Sequence, residues 1–165
     1  MRVTVAIIAA VVLLPCIALV GAATWRIPLH SANLRAFQRS FAALSHPPES
    51  QPIMELSEFG NFGESNHCDY VVGEFRSTSL PRGKIEQYYE TTSIPSPEMT
   101  QHVWDGEPPA RYEVEVAFED DGMFQWYPWS EWLSRAERPS LPSEKTYLVF
   151  ASADGYPPRG DYRCH

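Results

Sequence analysis

The chain has 165 residues, of which 13 are basic and 21 acidic, and its formal net charge is −8 at pH 7. This length corresponds to about one domain. An acidic balance repels nucleic acid and anionic lipid surfaces, so we expect no nucleic-acid partner. The sequence has no Gly-rich phosphate loop and no HExxH, GxSxG or CxxC motif, so we expect no cofactor.

Residues 3–23 form an uncharged run dominated by Ala, Val, Ile and Leu. About 20 apolar residues in a helix are enough to cross a bilayer, so the run predicts a transmembrane anchor. A cleaved signal peptide is the alternative, because Gly21, Ala22 and Ala23 supply a small-residue cleavage site. The length of the run and an interfacial Trp25 favour the anchor. Both alternatives place the following residues outside the cytoplasm, either as a single-pass protein of the cell membrane or as a secreted or periplasmic one.

The chain divides into three parts by composition. Residues 1–24 are the anchor or signal peptide, residues 25–52 an amphipathic helix with a Pro-rich linker, and residues 53–165 an extracytoplasmic domain. The helix is predicted from apolar residues spaced by three and four along the chain, which lie on one helix face. These residues are Leu34, Phe37, Phe41 and Leu44.

The first half of the domain predicts two strands and a helix. Residues 53–59 alternate loosely, and residues 67–75 are rich in strand formers, with Gly73 marking a bulge or a close backbone approach. Residues 81–92 predict a helix that begins near a proline. Its buried face is predicted to carry Ile85, Tyr88 and Tyr89.

The second half carries the clearest strand pattern. Apolar and acidic residues alternate from Arg111 to Phe118, which predicts one strand with a buried face and a solvated face. The buried face is Tyr112, Val114, Val116 and Phe118, and Ala117 belongs to the solvated face. Residues 119–122 form a turn, residues 123–127 a returning strand and residues 145–152 a last strand. We therefore predict an α+β fold with a mainly antiparallel sheet of four or five strands and one or two packed helices.

Two cysteines lie beyond the leader, Cys68 and Cys164. An even pair in an oxidising compartment predicts a disulfide, which would tie the turn-rich C-terminal tail to the start of a strand. A zinc site is the weaker alternative, because His67 is adjacent to Cys68 and His165 to Cys164. Directly adjacent ligands seldom reach one ion, and this argues against the zinc set. A nucleophilic Cys68 is also disfavoured, because neighbouring strand residues such as His67 point to opposite faces.

An aromatic cluster is the candidate binding surface. It consists of Trp126, Tyr127, Trp129 and Trp132. Such residues form either part of the core or an exposed platform for a protein or carbohydrate partner. The core interpretation is the commoner one in small domains.

These observations predict an extracytoplasmic domain, anchored or secreted, that binds or scaffolds something in the cell envelope and is not an enzyme. The membrane is the other expected partner, contacted through the N-terminal helix. The alternative function is an extracytoplasmic hydrolase that uses carboxylates or a Cys/His pair. The acidic residues near the predicted turn, Glu113, Glu115, Glu119, Asp120 and Asp121, specify no particular catalytic pair.

Overall fold

The computed structural model describes residues 13–18, 20–21, 27–62, 68–96, 111–122, 145–154 and 163. Beyond the leader these residues form two helices and six strands. The helices are α1 (Ile27–Ala42) and α2 (Arg82–Tyr89). The strands are β1 (Ser50–Gly60), β2 (Asp69–Thr78), β3 (Ser93–Pro95), β4 (Arg111–Glu113), β5 (Glu115–Phe118) and β6 (Lys145–Asp154).

The main sheet has four strands in the order β1–β2–β6–β5, and every neighbouring pair is antiparallel. The central strands β2 and β6 pair along their whole length, from Asp69 opposite Asp154 to Thr78 opposite Lys145. Strands β3 and β4 form a separate antiparallel pair. The predicted α+β class with a mainly antiparallel sheet is confirmed.

Both helices contribute to one buried cluster on one face of the main sheet. Phe37 and Phe41 of α1 pack in it together with Ile85 and Tyr89 of α2 and side chains of β2 and β6. Burying each large apolar side chain contributes about 1.5–3 kcal/mol, so these contacts hold both helices on the sheet. Tyr88, predicted on the same face, is exposed instead, because the contact stripe of the short α2 is only wide enough for its neighbours.

The opposite face of the sheet carries a second buried cluster. Its centre is formed by Val71, Phe75, Leu148 and Phe150, and no residue of α1 or α2 belongs to it. Ala117, predicted on the solvated face of its strand, is buried here. That prediction was wrong because the second face of the sheet also carries an apolar cluster, and Ala117, opposite Leu148, belongs to it.

The segment predicted as one strand from Arg111 to Phe118 is two strands. β4 pairs with β3, whereas β5 pairs with β6 in the main sheet. Val114 lies between them, buried, and its N–H donates to the Thr92 carbonyl. Alternation predicts which face of an extended segment is buried, but it does not determine which strand supplies the hydrogen bonds.

The acidic turn after β5 is present as predicted, and it contacts α2. The Phe118 N–H donates to Asp121 Oδ2 at 2.7 Å, and the Asp121 N–H donates back to the Phe118 carbonyl at 2.8 Å. Arg82 of α2 pairs with Asp121 at 2.9 Å, and its guanidinium lies 4.5 Å from the centre of the Phe118 ring. The returning strand predicted at 123–127 lies outside the described residues.

Strand β1 begins inside the predicted Pro-rich linker. Its first residue, Ser50, is buried and donates hydrogen bonds from both its N–H and its hydroxyl to the Pro47 carbonyl. Pro52 is accommodated because β1 is at the edge of the sheet, where a strand can lack an N–H donor. The register shifts directly after it, between Pro52 and Met54.

Of the apolar leader the structure describes residues 13–18 and 20–21, which are helical. Within the described residues, no helix is both long and apolar enough to cross a membrane. The long N-terminal helix of the prediction is therefore not observed, and the remainder of that run lies outside the described residues.

Candidate functional site

Cys68 immediately precedes β2, is fully buried and is disulfide-bonded. A sulfur in a disulfide carries no thiolate and cannot attack a substrate, which removes Cys68 as a nucleophile in this state. Cys16, in the leader, is free and exposed. The expected partner, Cys164, lies outside the described residues, so its pairing with Cys68 stays a prediction.

Arg163 precedes Cys164 and lies against the sheet near Cys68. Its carbonyl oxygen is 3.6 Å from where a Cβ on Gly60 would be, and Gly60 is opposite Asp69, the neighbour of Cys68. The Arg163 guanidinium stacks over the Phe59 ring, 4.9 Å from its centre. Arg163, the residue before Cys164, is thus close to the end of β2 that Cys68 precedes, and the tether itself stays a prediction.

The other predicted site residues lie outside the described part of the chain. These are His67, Cys164 and His165 of the zinc alternative, and Trp126, Tyr127, Trp129 and Trp132 of the aromatic surface. Among the residues that the structure describes, no three His, Cys, Asp or Glu side chains are grouped so that they could hold a metal ion. Both interpretations remain predictions from the sequence.

The structure reveals a different candidate site, a cavity of about 150 Å³ between α1 and the β1–β2 edge of the sheet. The C-terminal part of α1 supplies Gln38, Phe41 and Ala42, and the loop after it supplies His46. The strands contribute Glu55 and Leu56 from β1 and Gly73, Glu74 and Arg76 from β2. Several charged and polar groups thus converge on one concave, partly apolar space, as they do in small-molecule sites.

Glu74 and Arg76 form a buried ion pair beside this cavity. They are two residues apart on β2 and so lie on the same face, with Arg76 Nη1 2.6 Å from Glu74 Oε2 and side chains that are 7% and 9% exposed. Arg76 also donates from Nε to the Ser50 hydroxyl at 3.0 Å and from Nη2 to the Ser50 carbonyl at 3.1 Å. The guanidinium is therefore held rigidly by the protein.

Glu55 is directly opposite Glu74 in the β1–β2 register, and it is exposed at the cavity. Among the described residues it has no ion pair and no side-chain hydrogen bond. Like charges directly opposite each other on paired strands are destabilising. The carboxylate of Glu55 is therefore the uncompensated charge of this cavity.

His46 connects the cavity to α2. Its Nδ1 lies 2.8 Å from the Tyr89 hydroxyl, and its Nε2 lies 3.6 Å from Glu74 Oε2. Burial, reinforced by the charge of Arg76, lowers the pKa of His46 from 6.5 to about 4. Burial also raises the pKa of Tyr89 well above its ordinary value. Both rings are consequently neutral at pH 7.

Gly73 lets the sheet pack closely under the cavity. A Cβ at this position would lie 3.0 Å from the Phe150 Cβ and 3.0 Å from the Val149 carbonyl oxygen, which is closer than such atoms ordinarily approach. Of the two alternatives predicted from the sequence, the close backbone approach is the one observed. The register of β2 is unbroken at Gly73, so there is no bulge.

The sequence prediction missed this site, although part of it leaves a signal. Glu74 and Arg76 carry opposite charges at positions two apart within a strand of otherwise buried residues, and that pattern predicts a paired face. No comparable signal identifies His46 or Glu55. Their positions depend on how the loop after α1 folds back and on the register of β1.

Comparison of the chain with protein-family models, with curated proteins and with solved structures finds no match. The function is therefore inferred from the fold, the cavity and the chemistry of the residues around it.

Proposed function

We propose that the protein is an extracytoplasmic binding module, held at the membrane or exported by its N-terminal leader, and that the cavity between α1 and β1–β2 is its binding site. The observation that carries this proposal is the convergence of His46, Glu55, Glu74 and Arg76 on a single cavity. Apolar side chains of similar volume would often serve folding as well as a buried ion pair does. Charges kept beside an accessible cavity are thus better explained by recognition of a ligand.

The location outside the cytoplasm is supported by two independent features. The apolar leader is long enough to direct the chain to a membrane. The disulfide bond at Cys68 belongs to an oxidising compartment, because thiols in the cytosol are kept reduced. The proposed partners are therefore the membrane, through the leader, and a ligand or partner molecule of the envelope. The aromatic surface at Trp126, Tyr127, Trp129 and Trp132 remains a second proposed contact for a protein or carbohydrate.

Hydrolysis by a carboxylate pair is the second candidate function, and one arrangement favours it. Glu55 and Glu74 are directly opposite on neighbouring strands, where carboxyl groups can approach as closely as they do in retaining glycosidases. However, Glu74 already accepts a hydrogen bond from Arg76 and is almost fully buried. Only Glu55 is open to a substrate, so binding is the better-supported function.

The localisation is tested with the full chain fused at its C-terminus to a phosphatase reporter that becomes active only where disulfides form. We expect reporter activity from the full chain and none from a matched fusion that lacks residues 1–24. Equal activity of the two fusions, or activity from neither, would contradict the proposal. The mass of the mature N-terminus separates an uncleaved anchor from cleavage before Thr24.

A further inference from the structure

The charge distribution around the cavity indicates which class of ligand it accepts. Its described lining residues contain two carboxylates, Glu55 and Glu74, and one cation, Arg76. The ion pair of Glu74 with Arg76 cancels one charge of each sign. His46 adds no positive charge at neutral pH, because burial keeps its pKa near 4. The net charge that faces the cavity is therefore negative and lies on Glu55.

The backbone of α1 adds to this negative potential. Phe41 and Ala42 belong to the last turn of the helix, where the carbonyl groups give the helix end a partial negative charge, and Arg39 of the same turn is not among the residues that line the cavity. Arg76 does not offset it, because its charge is compensated by Glu74 at 2.6 Å and its remaining donors are bonded to Ser50. A cation in the cavity would relieve the repulsion between Glu55 and Glu74.

The volume of the cavity and its apolar lining indicate the size and the chemical nature of the ligand. Phe41 and Ala42 of α1 and the backbone of Gly73 line the space beside the carboxylates, whereas the Leu56 side chain packs against the cluster on the opposite face of the sheet. A cavity of about 150 Å³ holds a molecule of roughly the size of benzene. We propose that the cavity binds a small organic ammonium ion, whose charge is taken by Glu55 and whose hydrocarbon part packs on Phe41 and Ala42. The proposal rests on the binding function inferred above and specifies its ligand class.

The test is calorimetric titration of the full chain, kept in a mild detergent at pH 7.5 and low salt, with three isosteric probes. The probes are n-butylammonium, butan-1-ol and butanoate. We expect saturable binding of n-butylammonium alone. Glu55→Gln is expected to weaken it at least about tenfold, because the ammonium loses its charged partner. Glu90→Gln removes the same charge from an exposed site on the C-terminal side of α2 and is expected to bind like the parent.

A second measurement separates a loss of binding from a loss of folding. Without a probe, Glu55→Gln is expected to melt at the same or a slightly higher temperature than the parent, because the like-charge contact with Glu74 is removed. Unchanged n-butylammonium binding in this variant would overturn the proposal, as would an equal response to calcium chloride alone. Binding of butan-1-ol or butanoate in place of the cation would overturn the ligand class and leave the binding function intact. Binding of none of the probes would count against both.

Discussion

The side chains around His46 show how burial sets the charge of a group. The ring is half enclosed between the Tyr89 hydroxyl, the carboxylate of Glu74 and the guanidinium of Arg76, and the carboxylate of Glu55 lines the same cavity. Burial and the neighbouring cation both disfavour a second positive charge, and this is why the pKa of His46 falls to about 4. The neutral ring can then form a hydrogen bond with the Tyr89 hydroxyl without placing a charge in the core.

This shift predicts a loss of stability in mild acid. Between pH 6.5 and pH 4 the unfolded chain binds a proton at His46 that the folded chain does not, so stability falls as the pH falls through this window. One pKa unit corresponds to about 1.4 kcal/mol. Because 16% of the His46 side chain is exposed, solvent screens part of its charge, and we expect a loss of stability of about 1–3 kcal/mol.

Chemical denaturation at pH 7 and at pH 4 measures this loss. The matched variant His46→Asn keeps a polar group at the position of Nδ1 and does not titrate, so its stability should change less between the two pH values. Equal pH dependence in the parent and the variant would show that other groups are responsible.

At the scale of elements, α1 belongs to the folded core. Its spacing of three and four residues predicts one apolar stripe, and the structure buries Phe37 and Phe41 of that stripe against the sheet. The Phe37 ring also meets Tyr112 of β4 edge-on, with centres 6.2 Å apart. The helix thereby links the main sheet to the small β3–β4 pair.

Phe37→Ala is therefore expected to destabilise the protein strongly. Replacing a fully buried phenylalanine by alanine costs about 3–5 kcal/mol, because it removes apolar burial and leaves a cavity. Leu29→Ala, at an exposed position of the same helix, should change the free energy of unfolding by no more than about 0.5 kcal/mol. Urea unfolding measures both. If the two variants were equally stable, α1 would be a linker and not a part of the core.

At the scale of the whole molecule, the described contacts join the two ends of the folded region. Arg163 donates from Nη2 to the carbonyl of Ile27, the first residue of α1, at 3.5 Å. The same side chain stacks on Phe59 at the end of β1. A disulfide between Cys68 and Cys164 would fix this arrangement covalently. It would close a loop of about a hundred residues and contribute about 4–5 kcal/mol in the chain-entropy model.

Thiol counting tests that pairing. The unfolded full chain, alkylated without reductant, should carry one alkyl group at Cys16, and after reduction it should carry three. Cys16→Ser is the control and should lower each number by one. Peptide mapping should recover the residues around Cys68 linked to those around Cys164. Three reactive thiols without reductant would contradict the disulfide.

Much of this architecture follows from the sequence alone. The period-two pattern identifies Val114 and Phe118, which are buried, and Tyr112 and Val116, which are partly buried. The helical spacing identifies Phe37 and Phe41. These predictions succeed because side-chain direction repeats with a fixed period along a strand or a helix. The acidic turn at 119–122 is equally local, since it depends on a few adjacent residues.

The tertiary structure decided what depends on contacts between distant residues. It divided Arg111–Phe118 between two sheets, because hydrogen-bond partners are chosen by register and not by alternation. It placed Glu55 opposite Glu74 and brought His46 within 3.6 Å of the Glu74 carboxylate, so that these side chains line one cavity. The sequence determines which faces of the elements are buried. The site exists only because strand pairing and the fold of one loop bring polar side chains from three segments together.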